Sequence, residues 1–376
     1  MNFSLAILGA ALFTWGIGEG MFLYFQPIYL QQLGASTLMV GGTFSLFGAA
    51  MMAAHIPAGY LADRIGRKPL LMLAWGLGLT AAWVMAWART LTAFVAGWLL
   101  YGLTAFVAAP MNSYATAARG RMTPARVMTL ISAAYNLGAA GGALVGGWIG
   151  DHWPLRAVYL AAATIFTFST ILVCFLHPQP RQVHDQPFSA APLSQNRRYL
   201  VFLMVTFVTI FAMYLPQPLT PRFLESERGL SIGAIGFLGF CGSLGNALIS
   251  LGLGRLEAAW GFALAQVAVA LATTLFWQGR DIVWFACAYL LLGGFRAARS
   301  LVFALIRDWI VPAQMGLAYG IGEAVSSLAL VLAPLLAGYL YLRRPELVYP
   351  VALTLILSGI LIFSAFVLRR EHRVVA

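Results

Sequence analysis

The chain has 376 residues, 61% of them hydrophobic and only 9% charged, with a mean hydropathy of +0.83. A soluble chain carries about a quarter charged residues, so composition excludes a water-solvated globular protein and indicates a polytopic membrane protein. The net charge of +11 comes from basic residues scattered through short polar segments, which excludes a nucleic-acid surface and fits membrane topology.

The first apolar run has no basic segment before it and continues well past about 20 residues, so it reads as a span rather than a cleaved leader. Apolar runs separated by short polar punctuation predict spans at 4–30, 37–62, 69–88, 92–117, 126–149, 156–176, 199–223, 231–254, 260–278, 282–306, 314–341 and 347–368. Each is long enough to cross about 30 Å of hydrocarbon. The one long connection, HPQPRQVHDQPFSAAPLSQNRR at 177–198, is rich in Pro, Gln and Ser and reads as a flexible linker. The expected fold is all-α and integral to the membrane. Its 12 transmembrane helices form two pseudo-symmetric six-helix bundles, 1–176 and 199–376, joined by a cytoplasmic linker at 177–198.

Within these spans, ionisable residues stand out because a charge at the membrane centre costs about 2.5–3.5 kcal/mol on insertion scales. Span 1 carries Glu19 and ends in Tyr24, Gln26 and Pro27. Span 2 carries His55 beside Pro57, read as a packing residue rather than a proton site. Span 4 carries Asn112 and Tyr101. Span 5 repeats glycine every four residues at Gly138, Gly142, Gly146 and Gly150, a stripe that lets a neighbouring helix approach closely. Tyr135, Asn136, Tyr214 and Asn246 are further polar candidates, and Gln217-Pro218 in span 7 echoes Gln26-Pro27.

Span 10 contains GGFRAARSLVFALI, in which Arg296 and Arg299 share one helix face. Arg299 lies about 11 Å from the cytoplasmic end of its helix, and Glu323 about 13 Å from the start of span 11. These sequential, antiparallel spans make Glu323 the first-choice partner of one arginine, with Arg299 the better match in depth. Arg296 is then the arginine expected to face a cavity, and Glu19 is a candidate partner for whichever arginine Glu323 leaves. Both glutamates follow Gly-Ile-Gly, at Gly16 to Gly18 and Gly320 to Gly322, which predicts close helix contact at each.

Basic residues set the orientation. With both termini inside, inner segments hold fourteen: Arg64, Arg67, Lys68, Arg119, Arg121, Arg126, Arg181, Arg197, Arg198, Arg255, Arg307, Arg369, Arg370 and Arg373. Outer loops hold seven: Arg89, Arg156, Arg222, Arg228, Arg280, Arg343 and Arg344. The positive-inside rule therefore predicts a cell inner (cytoplasmic) membrane protein, multi-pass, with both termini cytoplasmic.

Between spans 2 and 3 lies GYLADRIGRKPLL, residues 59–71. It resembles the signature loop of the major facilitator superfamily, G-x-L-a-D-r-x-G-r-k-x-x-l, with Gly59, Asp63, Arg64, Gly66, Arg67 and Lys68 matching. A degenerate copy, GRLEAAWG, stands at 254–261. The resemblance implies that spans 1, 4, 7 and 10 line a central cavity. It makes those six loop residues a conformational gate, in which Asp63 faces the positive N-terminal end of span 11. It also places Glu19, Tyr24, Gln26, Asn112, Gln217, Arg296, Arg299 and Glu323 at the proton and substrate cavity. The run GAAGGALVGG in span 5 resembles the antiporter motif of exporters in this family, with Ala143 where proline is usual. Tight packing and an exporter-specific role are equally open for it. Drug–proton antiporters of the family often carry an arginine four residues before a glycine in span 4, where this chain has Trp98 before Gly102.

The expected function is ion-gradient-driven, proton-coupled secondary transport of a small organic solute by alternating access, with export favoured over import. An acidic, aromatic cavity at Glu19 would suit a lipophilic or cationic solute. Arginines would suit an organic anion, whose importer or uniporter is the alternative. A non-transporting receptor or scaffold is the alternative of another class, disfavoured by short loops. No enzyme is expected, since HExxH and GxSxG are absent, and the single lysine, Lys68, precedes proline rather than completing a P-loop. Cys174, Cys241 and Cys287 are isolated, so neither disulfide nor metal is indicated. Expected partners are the solute, protons and the lipid bilayer, with no cofactor, no nucleic acid and a monomeric state.

Overall fold

The computed structural model describes residues 3–179, 193–307, 310 and 315–365, excluding the side chains of 55–65, 109, 124–125, 194, 307 and 315–317. Among residues named above, His55, Pro57, Gly59, Asp63, Arg64 and Arg307 lie outside the described side chains, and Arg181, Arg369, Arg370 and Arg373 lie outside the described residues. Among the described residues there are no strands, and twelve helical spans are long and apolar enough to cross a membrane. They run Phe3–Leu23, Thr37–Ala54, Arg67–Trp87, Leu91–Ala117, Arg126–His152, Leu155–Cys174, Arg197–Ser226, Ile232–Leu253, Ala258–Gln278, Ile282–Ile306, Ala318–Arg343 and Pro345–Phe363, numbered here as spans 1 to 12. The predicted twelve-span all-α fold is the one observed.

Four spans are interrupted, and they are spans 1, 4, 7 and 10. Span 1 stops at Leu23 and the helix resumes as Gln26–Gln32. Span 4 passes through a 3-10 turn at Thr104–Val107. Span 7 leaves the α-helix at Tyr214, turns through Gln217–Leu219 and resumes at Thr220–Ser226. Span 10 breaks between Ile282–Leu291 and Gly293–Arg307. Proline explains the first three: Pro27, Pro110 and Pro216 with Pro218 each remove a backbone N–H near the break. In span 10 the adjacent Gly293 and Gly294 lower helix propensity instead. Gln26-Pro27 and Gln217-Pro218 thus each mark a helix break, in spans 1 and 7.

Helix packing divides the chain into two compact units. The first comprises Met1–Ser36, Leu46–Asp185 and Leu224–Ser243. Its centre is aromatic: the Trp15 ring lies 4.4 Å from Phe166 and 5.2 Å from Trp75, and Phe22 lies 5.6 Å from Tyr159. A buried relay ties three spans, with Trp75 Nε1 donating to Ser169 Oγ and Ser169 Oγ donating to the Ala11 carbonyl. The second unit comprises Thr37–Ser45, Gln186–Phe223 and Leu244–Ala376. Its core packs spans 7, 9, 10, 11 and 12 around Phe202, Phe262, Val302 and Phe363. Tyr199 donates from span 7 to the Ala318 carbonyl of span 11. Large apolar side chains such as Met204 and Leu361 are exposed, as suits helices whose outer solvent is lipid.

Candidate functional site

The first unit holds Glu19 by backbone contact. Span 1 lies so close to span 5 that a Cβ at Gly16 would sit 2.2 Å from the Tyr135 carbonyl oxygen, and one at Gly20 would sit 2.1 Å from that of Ala139. The glycines of span 5 reciprocate: a Cβ at Gly138, Gly142 or Gly146 would sit 2.0–2.1 Å from the carbonyl oxygens of Phe13, Ile17 or Met21. Only glycine fits these crossings. Gly150, read as part of the same stripe, faces elsewhere, against Ile232 of span 8.

Clamped this way, Glu19 presents a half-buried carboxylate to aromatic neighbours. Tyr101 lies beside Glu19, with Trp15 and Tyr135 also next to its hydroxyl. The Trp15 and Tyr101 rings stack with centroids 6.0 Å apart. Trp98 is buried against Phe47, centroids 4.0 Å apart, so it acts in packing. The Tyr24 ring packs against Gly239 of span 8, where a Cβ would meet it at 2.5 Å. Gln26 is fully buried, and neither atom of its amide has a hydrogen-bond partner.

The same unit contains a cavity of about 460 Å³ lined by Arg67, Asn112, Ser113, Thr116, Arg119 and Met128. Gly66, with φ of 86°, makes the turn that starts span 3 at Arg67. Arg67 Nη1 donates to Gln179 Oε1 at 3.1 Å, and Gln179 Nε2 donates to the Tyr114 carbonyl. Lys68 Nζ donates to the Cys174 carbonyl. Gln179 belongs to the segment read as flexible linker, yet residues 177–179 are tied down, with Tyr114 also donating to the His177 carbonyl. No signal in the linker composition marks this.

In the second unit, Arg299 Nη2 donates to Glu323 Oε1 in an ion pair between spans 10 and 11, with both side chains less than a third exposed. The depth argument from sequence selects these two residues. Arg296, one turn earlier, is exposed. Gln217 is half-buried and donates to the Met213 carbonyl. The expectation of close helix contact at both Gly-Ile-Gly sites fails here. Among the described residues, a Cβ at Gly320 meets nothing within 4 Å, and one at Gly322 meets the Ile306 side chain alone. Span 10 offers no facing glycine stripe among the described residues, so side chains rather than backbone contact join the helices: the ion pair, and the Phe303 and Tyr319 rings with centroids 5.4 Å apart.

A family model described as the Major Facilitator Superfamily matches residues 8–294 and 202–375. The chain belongs to this superfamily. Its members are secondary transporters, so this is a multi-pass membrane transporter rather than an enzyme. Among superfamily relatives, the class C tetracycline resistance protein of Escherichia coli is 27% identical over 190 residues, 50% of this chain and 47% of that protein. Multidrug resistance protein 1 of Bacillus subtilis is 21% identical over 360 residues, 90% of each chain. The alignment thus spans less than half the length of the class C tetracycline resistance protein. A mutant of the nucleoside transporter NupG superposes with a TM-score of 0.86 at 15% identity, covering 97% of this chain and 100% of that one. At that identity the likeness speaks for the superfamily fold alone.

Proposed function

We propose that this superfamily member is a proton-coupled exporter of a small organic solute, working by alternating access. Glu19 carries the proton, and Trp15, Tyr101 and Tyr135 form the wall against which a lipophilic or cationic solute rests. The observation that supports this is the setting of Glu19: a half-buried carboxylate at membrane depth whose described neighbours are aromatic. A charged group there costs about 2.5–3.5 kcal/mol. Exchanging a proton for a cationic solute offsets that charge in each half of the cycle. Arg299 is paired with Glu323, which leaves Glu19 as the better candidate for the proton carrier. The excess of basic residues in alternate loops supports cytoplasmic termini, and the names of the tetracycline and multidrug resistance relatives support export.

Proteoliposomes test this. With an imposed pH gradient, a lipophilic cation probe should move in exchange for protons. Glu19→Gln should lose gradient-driven flux and keep solute exchange at equal pH. Persistent gradient-driven flux in that variant would overturn the assignment. The exposed Arg296 on span 10 favours a second reading, transport of an organic anion. In that case an organic anion competes with the probe, and Arg296→Ala abolishes the competition.

A further inference from the structure

Span 5 has a second seam that the glycine stripe does not account for. Beyond the face that grips span 1, Gly147 and Ala143 meet the first turns of span 8, within the first unit. A Cβ at Gly147 would lie 2.9 Å from Gly236 Cα, and one at Gly236 would lie 2.5 Å from the Ala143 carbonyl oxygen. At the end of this seam stands Asp151, one residue before span 5 ends at His152.

Asp151 completes the start of span 8. Oδ1 accepts from the Gly233 backbone N–H at 2.7 Å, and Oδ2 accepts from Ser231 Oγ at 3.2 Å. Ser231 is itself the N-cap: its Oγ accepts from the Ala234 N–H, and its carbonyl accepts from the Ile235 N–H. A helix leaves its first N–H groups without internal partners, and its N-terminus attracts negative charge. Here the charged partner comes from 82 residues away in sequence rather than from the helix's own first turn. Gly233 makes the approach possible, because a Cβ there would lie 2.1 Å from Asp151 Oδ2.

We propose that Asp151 is a positioning residue for transport, a latch that holds spans 5 and 8 together at the end of span 5 remote from the signature loop. Span 5 and span 8 belong to different six-helix repeats. When a transporter of this superfamily opens at that face, the repeats part, and this contact breaks. The small-residue seam supplies shape, and the carboxylate supplies a bond that is lost on opening. Asp151 therefore sets the balance between closed and open forms without touching the solute. Neighbouring His152 serves a different contact, with its Nδ1 hydrogen-bonded to the Trp148 carbonyl and its ring between Trp148 and Trp153.

The test uses the full chain in lipid nanodiscs, with Cys174, Cys241 and Cys287 replaced by serine. Spin labels go at Trp153→Cys and Glu227→Cys, in the loops that follow span 5 and precede span 8. Asp151→Ala should raise the ratio of long to short label distances about tenfold, the effect of losing one charge-assisted hydrogen bond. Asp151→Asn keeps an acceptor for the Gly233 N–H and should shift the ratio no more than about threefold. Gly233→Ala should shift it as Asp151→Ala does, and combining the two should add nothing. If Asp151→Ala and Gly233→Ala both leave the parent distribution unchanged, the latch does not exist. An Asp151→Ala chain that fails to fold leaves Gly233→Ala and Ser231→Ala, which are expected to shift the ratio in the same direction. No shift in either overturns the proposal.

Discussion

Glu19 and Glu323 follow the same tripeptide, Gly-Ile-Gly, and end in different chemistry. Around Glu19 the glycines press span 1 onto the backbone of span 5, and the carboxylate lies beside Tyr101. Around Glu323 the glycines press on no backbone, and the carboxylate itself joins spans 10 and 11 through Arg299. Glycine permits close approach, but approach happens only where the partner helix is also small. Span 5 offers Gly138, Gly142 and Gly146, whereas span 10 offers Arg299 and Ile306. Where backbones lock, the acid is not needed as a fastener. Where they do not, the acid serves as the fastener.

The largest effect that would break this contrast lies at Gly20. Gly20→Ala places a methyl 2.1 Å from the Ala139 carbonyl oxygen, and backbone cannot yield as a side-chain tip does. Overpacking of a tight core costs about 1–3 kcal/mol when side chains relax, and more is expected here. Expression in folded form and melting temperature in detergent should both fall sharply. A Gly20→Ala protein that melts like the parent would show that the span 1–span 5 crossing is looser than these contacts imply.

How far the sequence carried this picture depends on which interactions are local. Span number and class were legible because a bilayer imposes a run length on every helix. The Arg299–Glu323 pair was legible because sequential antiparallel spans fix relative depth. The breaks in spans 1 and 7 were visible only as a Gln-Pro echo, since hydropathy does not register a missing N–H. The Asp151 contact with Ser231 and Gly233 joins residues about 80 apart, and the Arg67–Gln179 bond joins residues 112 apart. Neither leaves a periodic trace. The Asp151 contact did leave two local marks, a serine at the start of span 8 and an acid closing the glycine-rich end of span 5, which together could have prompted the search.

A middle-sized effect sharpens the fastener side. Arg299→Ala strands the Glu323 carboxylate at membrane depth. Removing one partner of a fully buried pair costs about 3–5 kcal/mol, and the partial exposure of both side chains brings the expectation to roughly 2 kcal/mol. Melting temperature should drop, and adding Glu323→Gln should recover most of the loss because no charge is then left alone. Arg296→Ala should cost less in melting than Arg299→Ala, since its side chain is exposed. Equal melting losses for the two arginine variants would remove the distinction between them.

The smallest effect has the opposite sign and probes the same tripeptide in span 11. Gly320 lies inside the helix Met315–Arg343, is exposed, and has nothing within 4 Å of where a Cβ would stand. Glycine in a helix interior is less favourable than alanine by about 0.8–1.0 kcal/mol in aqueous hosts. Gly320→Ala should therefore raise the melting temperature slightly, by about 0.5–1 kcal/mol in stability, while Gly16→Ala, its counterpart in span 1, lowers it. If span 11 instead closes onto a neighbour during the cycle, Gly320→Ala keeps its added stability but slows transport. Measuring melting and flux on the same preparation separates a glycine that is merely tolerated from one that is kept for motion.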